Sequence, residues 1–172
     1  MLTIAQLMER MIAFSKGNIH DIDHFVRVWN YARTIAELEG VDEGTRFVLE
    51  VAAIVHDIAC PLCREKYGNT NGRHQEAEGA PMAAAFLADS GMTAAQIERV
   101  AYLVGHHHTF TEIDSIDYQI LIEADYIANA TENGWSGDNV RNFVGKYFTT
   151  AAGKRLVAEI FREQGTGNRE QD

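Results

Sequence analysis

Cysteine and proline are almost absent from this chain, two of each in 172 residues, and basic residues are outnumbered by acidic ones, 15 to 25. Each scarcity excludes something. Two cysteines cannot make the disulfide framework of a small secreted scaffold. They form a single CxxC, Cys60 and Cys63, where a structural zinc usually takes four ligands and a thioredoxin-type pair sits in a βαβ setting. Packing thiols are the plain reading, with a redox or auxiliary metal role as the alternative. A net charge of −10 without a local basic stripe repels phosphodiester polyanions, so a nucleic acid scaffold is not an expected partner. No apolar run approaches the roughly 18–20 residues that cross a bilayer. Residues 1–18 lack the basic start, continuous apolar stretch and cleavage site of a secretory signal. The expectation is a cytoplasmic chain without a membrane partner; whether it forms homo-oligomers is left open.

What is present is helical periodicity. A hydrophobic fraction of 46% and a mean hydropathy of −0.21 suit one folded domain. Thr3 to Gln6 and Thr93 to Gln96 read as capping boxes. Ile22, Phe25, Trp29, Ala32 and Ala36 recur at three- and four-residue steps, and His24, Val28, Tyr31, Ile35 and Leu38 form a second stripe beside them. The segment from about 42 to 57 is apolar around most of its circumference, as a central helix is. Pro61 and the polar run 67–73 read as the longest loop. The helix after it reaches Ala88, with Pro81 acceptable only near its first turn. Further helices are expected at about 93–105, 117–131, 137–148 and 150–163. No alternating strand, repeat or linker is visible. The fold class is therefore all-α, a single-domain bundle over 1–164 followed by a polar tail, 165–172.

The chemistry lies in four residues that interrupt core-type stretches. His24 sits on an apolar stripe, His56 and Asp57 end the most apolar helix, and Asp125 breaks the apolar run 118–130. Burying such groups is costly unless they are paired or bound to a metal. Each alone has an ordinary explanation: a satisfied core histidine, a helix terminus, a carboxylate paired with Arg27. Together they call for a shared partner, and imidazole nitrogens with carboxylate oxygens suit Mn, Fe, Co, Ni, Zn or Mg without choosing among them.

These residues, with Arg27, Val28 and Ala32, the run Ala52 to Asp57, and Glu123 to Asp125, resemble the HD superfamily of metal-dependent phosphohydrolases over about 20–130. The resemblance implies an all-helical bundle of the HD-domain type. It also implies His24, His56, Asp57 and Asp125 as ligands of one divalent metal, with His56 and Asp57 at the catalytic centre. The activity implied is hydrolysis of a small phosphomonoester or phosphodiester, a nucleotide being one candidate, with metal-activated water. Some family members hold a second metal with extra histidines, the paired Asp bridging. His74 and one of His106, His107 and His108 lie in the corresponding places, and His106 and His107 are the first choices. The rival role for them is contact with substrate phosphate.

Arg27 reads either as an ion-pair partner or as a phosphate contact. Lys66 and Arg73, in the loop after the His-Asp pair, and Lys146 are the other phosphate candidates. Glu76 and Glu78 read either as a general base or support near His74, or as an exposed acidic first turn. His20 and Asp21 read as the cap of their helix. Two other functional classes stay open: a di-iron oxygenase on the same fold, and a non-catalytic nucleotide or phosphate sensor.

Overall fold

A computed structural model describes residues 1–162; the expected tail, 165–172, lies outside them. Nine helices occur among the described residues: α1 Ile4–Phe14, α2 Ile19–Leu38, α3 Glu43–Val55, α4 Cys60–Tyr67, α5 Gly72–Leu87, α6 Ala94–Val104, α7 Ile116–Glu132, α8 Gly137–Tyr147 and α9 Ala151–Ile160. There are no strands among those residues, so the described chain is an all-helical bundle. No described helix is long and apolar enough to cross a membrane.

Local chemistry explains the boundaries. Thr3 and Thr93 close full capping boxes with Gln6 and Gln96, each satisfying amides that the first turn leaves unpaired. Asn18, not His20 or Asp21, caps α2: its side chain accepts from the Asp21 amide. Residues 61–73 are not one long loop. Pro61 falls in the first turn of α4, where its missing N–H has no helical partner to lose. Asn71 then starts α5, its Oδ1 accepting from the Arg73 amide at 3.0 Å. Because α5 begins at Gly72, Pro81 stands in its interior rather than its first turn. Pro81 and Ala77, four residues before it, are both exposed, so the carbonyl left without an N–H partner is on the side where water can reach it.

The core is organised around α7, more completely buried than α3: thirteen of its 17 residues are buried. It packs against α2, α3 and α9, while α5 lies along α6 and α3 supports both halves. Glu123 on α7 is fully buried and serves as a cap for another helix. Its Oε1 accepts from the amides of Thr149 and Thr150 at 2.8 and 3.0 Å, and Thr150 donates its hydroxyl to Oε2. A carboxylate is thereby placed against the N-terminus of α9, where the helix dipole favours it. Two residues further along α7 is Asp125.

Candidate metal centre

Four stretches of chain converge on one point. His24 comes from the buried stripe of α2. His56 caps α3 and Asp57 follows in the tight break before α4, where the Cys60 amide bonds back to the Asp57 carbonyl. Asp125 comes from the middle of α7. His107 lies in the turn after α6 and is fully buried. His24 Nε2 is 3.1 Å from His56 Nε2, 3.2 Å from Asp125 Oδ1 and 3.5 Å from Asp57 Oδ2. His56 Nε2 is 3.6 Å from both Asp57 Oδ1 and Asp125 Oδ1, and His107 Nε2 is 3.4 Å from Asp57 Oδ1.

The outer nitrogens decide what the inner ones carry. His56 Nδ1 faces the Ala53 carbonyl at 2.8 Å and His107 Nδ1 the Val104 carbonyl at 2.7 Å. A carbonyl can only accept, so both Nδ1 atoms hold hydrogen. His24 Nδ1 makes the equivalent bond to Glu132 Oε2, at 2.9 Å. In the neutral rings every Nε2 lone pair therefore points inward, toward two carboxylates. Such a set repels itself unless a cation sits among its members. Among the described residues His107 Nε2 is buried with no hydrogen-bond partner, as the nitrogen of a metal-ligating histidine would be. The donor set fits a divalent metal, and bonds from the far ring nitrogens to fixed acceptors are the usual support of histidine ligands.

The local field has the same sign. Burial opposes charge on His24, but the Asp125 hydrogen bond and the charges of Asp57 and Asp125 outweigh it and raise its pKa to about 10. Burial likewise opposes ionisation of Asp57 and Asp125, yet the surrounding imidazoles hold both carboxyls well below the usual range. A centre that stabilises two buried carboxylates this strongly attracts positive charge, whether as protons or as a metal ion.

A family model of the HD domain matches residues 21–130, which contain every residue of this centre. The chain belongs to the HD domain family. Among solved structures it resembles the crystal structure of a predicted HD superfamily hydrolase from an uncultured Thermotogales bacterium, with a TM-score of 0.64 and 24% identity over 90% of this chain and 83% of that one. At that identity the likeness speaks for the HD fold. No curated protein matches the chain.

Two donor groups share Asp57 in this HD domain: His24, His56 and Asp57 on one side, and Asp57, His107 and His108 on the other. His108 Nε2 is also buried and unpartnered; burial, reinforced by His107, lowers its pKa to about 4 and keeps the ring neutral. Of the three consecutive histidines, His106 is the one that turns away. It stacks on Tyr102 at 4.2 Å and bonds to the Tyr102 carbonyl. His74 belongs to neither group and stacks on Tyr67 at 3.9 Å. Gly72, at the start of α5, has no room for a Cβ, which would fall 2.9 Å from the His108 ring.

Several residues with no ligand role in the sequence reading hold this arrangement. Asn129 donates to Asp125 Oδ1 at 2.8 Å. Glu76 accepts from the His108 amide and the Thr109 hydroxyl, and Tyr118 donates to the carbonyls of His106 and Thr109. Asn129 and Glu132 lie four and seven residues beyond Asp125, on the same helical face, a signal present in the sequence. Glu78 faces outward and takes bonds from Lys66 and Tyr67 at 2.6 Å each.

None of the phosphate candidates is among the described residues that line the pocket over the centre. Arg27 is half exposed, 3.9 Å from Glu132 Oε1. Lys66 is paired with Glu78, Arg73 lines a shallow groove with His106, and Lys146 lies over the Tyr147 ring. Arg64 lines the pocket over the centre, in an ion pair with Asp21. Cys60 and Cys63 are free and buried. Cys60 Sγ is 3.4 Å from Gln75 Oε1, and burial pushes its thiol pKa up.

Proposed function

We propose that the protein is a metal-dependent phosphohydrolase that cleaves a phosphate ester of a small molecule. Membership of the HD domain family supports a metal-dependent hydrolase. The observation that carries the reading is the convergence of the inward-facing Nε2 atoms of His24, His56 and His107 on the carboxylates of Asp57 and Asp125. A bound divalent ion supplies Lewis acidity, lowering the pKa of a coordinated water and drawing charge from a phosphoryl oxygen.

The chain's own residues do the rest. His24, His56, Asp57 and Asp125 hold the ion, and Glu132 and Asn129 keep His24 and Asp125 aimed. Asp57 is partly exposed to a pocket of about 210 Å³ and orients the attacking water. Asp57, His107 and His108 form a second donor set, which favours a two-ion centre with Asp57 shared. The same donor set keeps the di-iron oxygenase reading in view, while a nucleotide or phosphate sensor would bind without turnover.

Purified protein loaded with Mn²⁺, Co²⁺, Ni²⁺ or Mg²⁺ is expected to release inorganic phosphate from nucleotides or aryl phosphates well above an Asp57→Ala control. Rates equal to that control with every metal would overturn the proposal. Iron in the purified protein together with dioxygen consumption would select the oxygenase, and ligand binding without turnover the sensor.

A further inference from the structure

Beside the metal centre, and sharing Asp125, Asn129 and His108 with its pocket, opens a larger one of about 620 Å³. Its volume is that of an ordinary small-molecule site, and its walls come from α7, α8 and the segments before them. The aromatic wall is continuous. Tyr126 and Phe143 stack at 3.8 Å and 5°, Phe110 meets Phe143 edge-on at 5.4 Å, and Trp135 lies 5.3 Å from Tyr126. Rings that already pack on one another present a rigid, flat-sided surface, which favours stacking with a planar guest.

The polar part of the wall is made of carboxamides: Asn129, Asn139 and Asn142. Asn129 commits its amino group to Asp125, and its side-chain oxygen has no donor among the described residues. The side chains of Asn139 and Asn142 make no hydrogen bond among the described residues. Carboxamides offer paired donors and acceptors, the complement of a heterocycle's edge. No lysine or arginine lines this pocket, and its one charged member is Asp125. A ligand group placed here meets no cation.

Resting on the phosphohydrolase reading, we infer that this pocket is the leaving-group subsite of the same centre. It selects a nucleoside monophosphate over sugar phosphates and over nucleoside triphosphates. The single phosphate sits at the metal centre, and the base lies against the aromatic wall with its edge toward Asn139 and Asn142. A second and third phosphate would lie among neutral amides and beside the Asp125 carboxylate, and a bare sugar would leave the aromatic wall wet. In the reaction a water oxygen bonds to phosphorus, the phosphorus–ester oxygen bond breaks, and the departing alcohol oxygen takes up a proton. The products are a nucleoside and inorganic phosphate.

The test compares kcat/KM for phosphate release from nucleoside 5′-monophosphates, ribose 5-phosphate and nucleoside triphosphates, using metal-loaded protein. The expected preference for monophosphate is at least tenfold over both others. The Asn139→Ala/Asn142→Ala double variant and Trp135→Ala, each checked for an unchanged melting temperature, should reduce the preference over ribose 5-phosphate about tenfold. Equal or better turnover of ribose 5-phosphate or triphosphates would overturn the inference, as would a preference unchanged in both variants. A second readout needs no catalysis: nucleosides without phosphate should quench tryptophan fluorescence, and the signal should vanish in Trp135→Phe. No phosphate release from any compound, with quenching intact, would sink the hydrolase reading and the leaving-group role, and leave only nucleoside binding in the pocket. Turnover of monophosphates without quenching or variant effects would do the reverse.

Discussion

His24 Nδ1 and Glu132 Oε2 lie 2.9 Å apart, so a residue in the first half of α2 is oriented by the last residue of α7. The carboxylate fixes which nitrogen of His24 faces the centre. Glu132→Gln keeps the shape but weakens the acceptor and permits the ring to turn. Metal affinity, measured by competition with a chelating dye, should fall about 10- to 100-fold, with little change in the urea midpoint of the metal-free protein. An unchanged affinity would remove Glu132 from the account.

Ion binding should also appear as stability, because the donors converge only in the folded chain. A metal held at about 100 times its Kd adds about 2.7 kcal/mol. In a domain of this size that corresponds to roughly 5–10 °C in Tm. Calorimetry with and without EDTA measures it, and identical transitions would exclude a metal centre.

The two outer histidines separate cleanly. His108→Ala should remove one ion of two by elemental analysis, since it breaks the donor set with Asp57 and His107. His106→Ala, whose ring stacks on Tyr102, should leave the stoichiometry unchanged. The opposite pattern would mean that the turn after α6 adopts another conformation when loaded.

Gly153 lies under the Glu123 cap. A Cβ there would overlap Glu123 Oε2, a clash no relaxation of a fully buried carboxylate readily clears. Gly153→Ala should cost about 1–3 kcal/mol in urea unfolding, and Gly145→Ala, with open space around it, much less. Comparable midpoints for the two would argue against the cap.

Acid stability should depend on Asp117. Burial opposes its ionisation, but Arg99 and Ser115 outweigh that and lower its pKa. A carboxyl with a depressed folded value adds stability above the unfolded value of about 3.9, and this is lost as pH falls through the folded value. Asp117→Asn should therefore be less stable than wild type at pH 7 by about 1–3 kcal/mol. The gap should close below about pH 4, and a gap constant from pH 7 to 3 would refute it.

What could be read in advance was whatever depends on short spacing. The capping boxes at Thr3 and Thr93, the stripe carrying His24, and the apolar segment ending in His56 involve neighbours within a turn or two. The structure brings His24, His56, Asp57 and Asp125 together as that reading expected. It failed where chain direction changes. Pro61 and the polar residues after it suggested a loop, because nothing in their composition shows that Pro61 begins a helix while Gly72 begins another. Pro81 looked like a helix start for the same reason. The choice among His106, His107 and His108 was beyond helical phase altogether: α6 ends at Val104, so the 100° step between neighbours no longer applies. The turn that carries them is held by Glu76 on α5 and Tyr118 on α7, outside the segment itself. The phosphate candidates Lys66 and Arg73 were placed by proximity to His56 and Asp57 along the chain, and helix formation at α4 and α5 instead pairs Lys66 with Glu78 and sets Arg73 in a groove with His106.

The order of the converging residues bears on how the protein is made. Synthesis delivers His24 first, then His56 and Asp57, then the histidine turn, and α7 last of all. The His24–Glu132 link closes over 108 residues, a separation that folds slowly compared with the local α5–α6 pairing. A nascent chain carries His24, His56 and Asp57 long before Asp125 and Glu132 exist. Until Asp125 and Glu132 emerge, only weak, incomplete chelation is available. The finished donor set therefore requires α7 in place, because α7 supplies both Asp125 and Glu132.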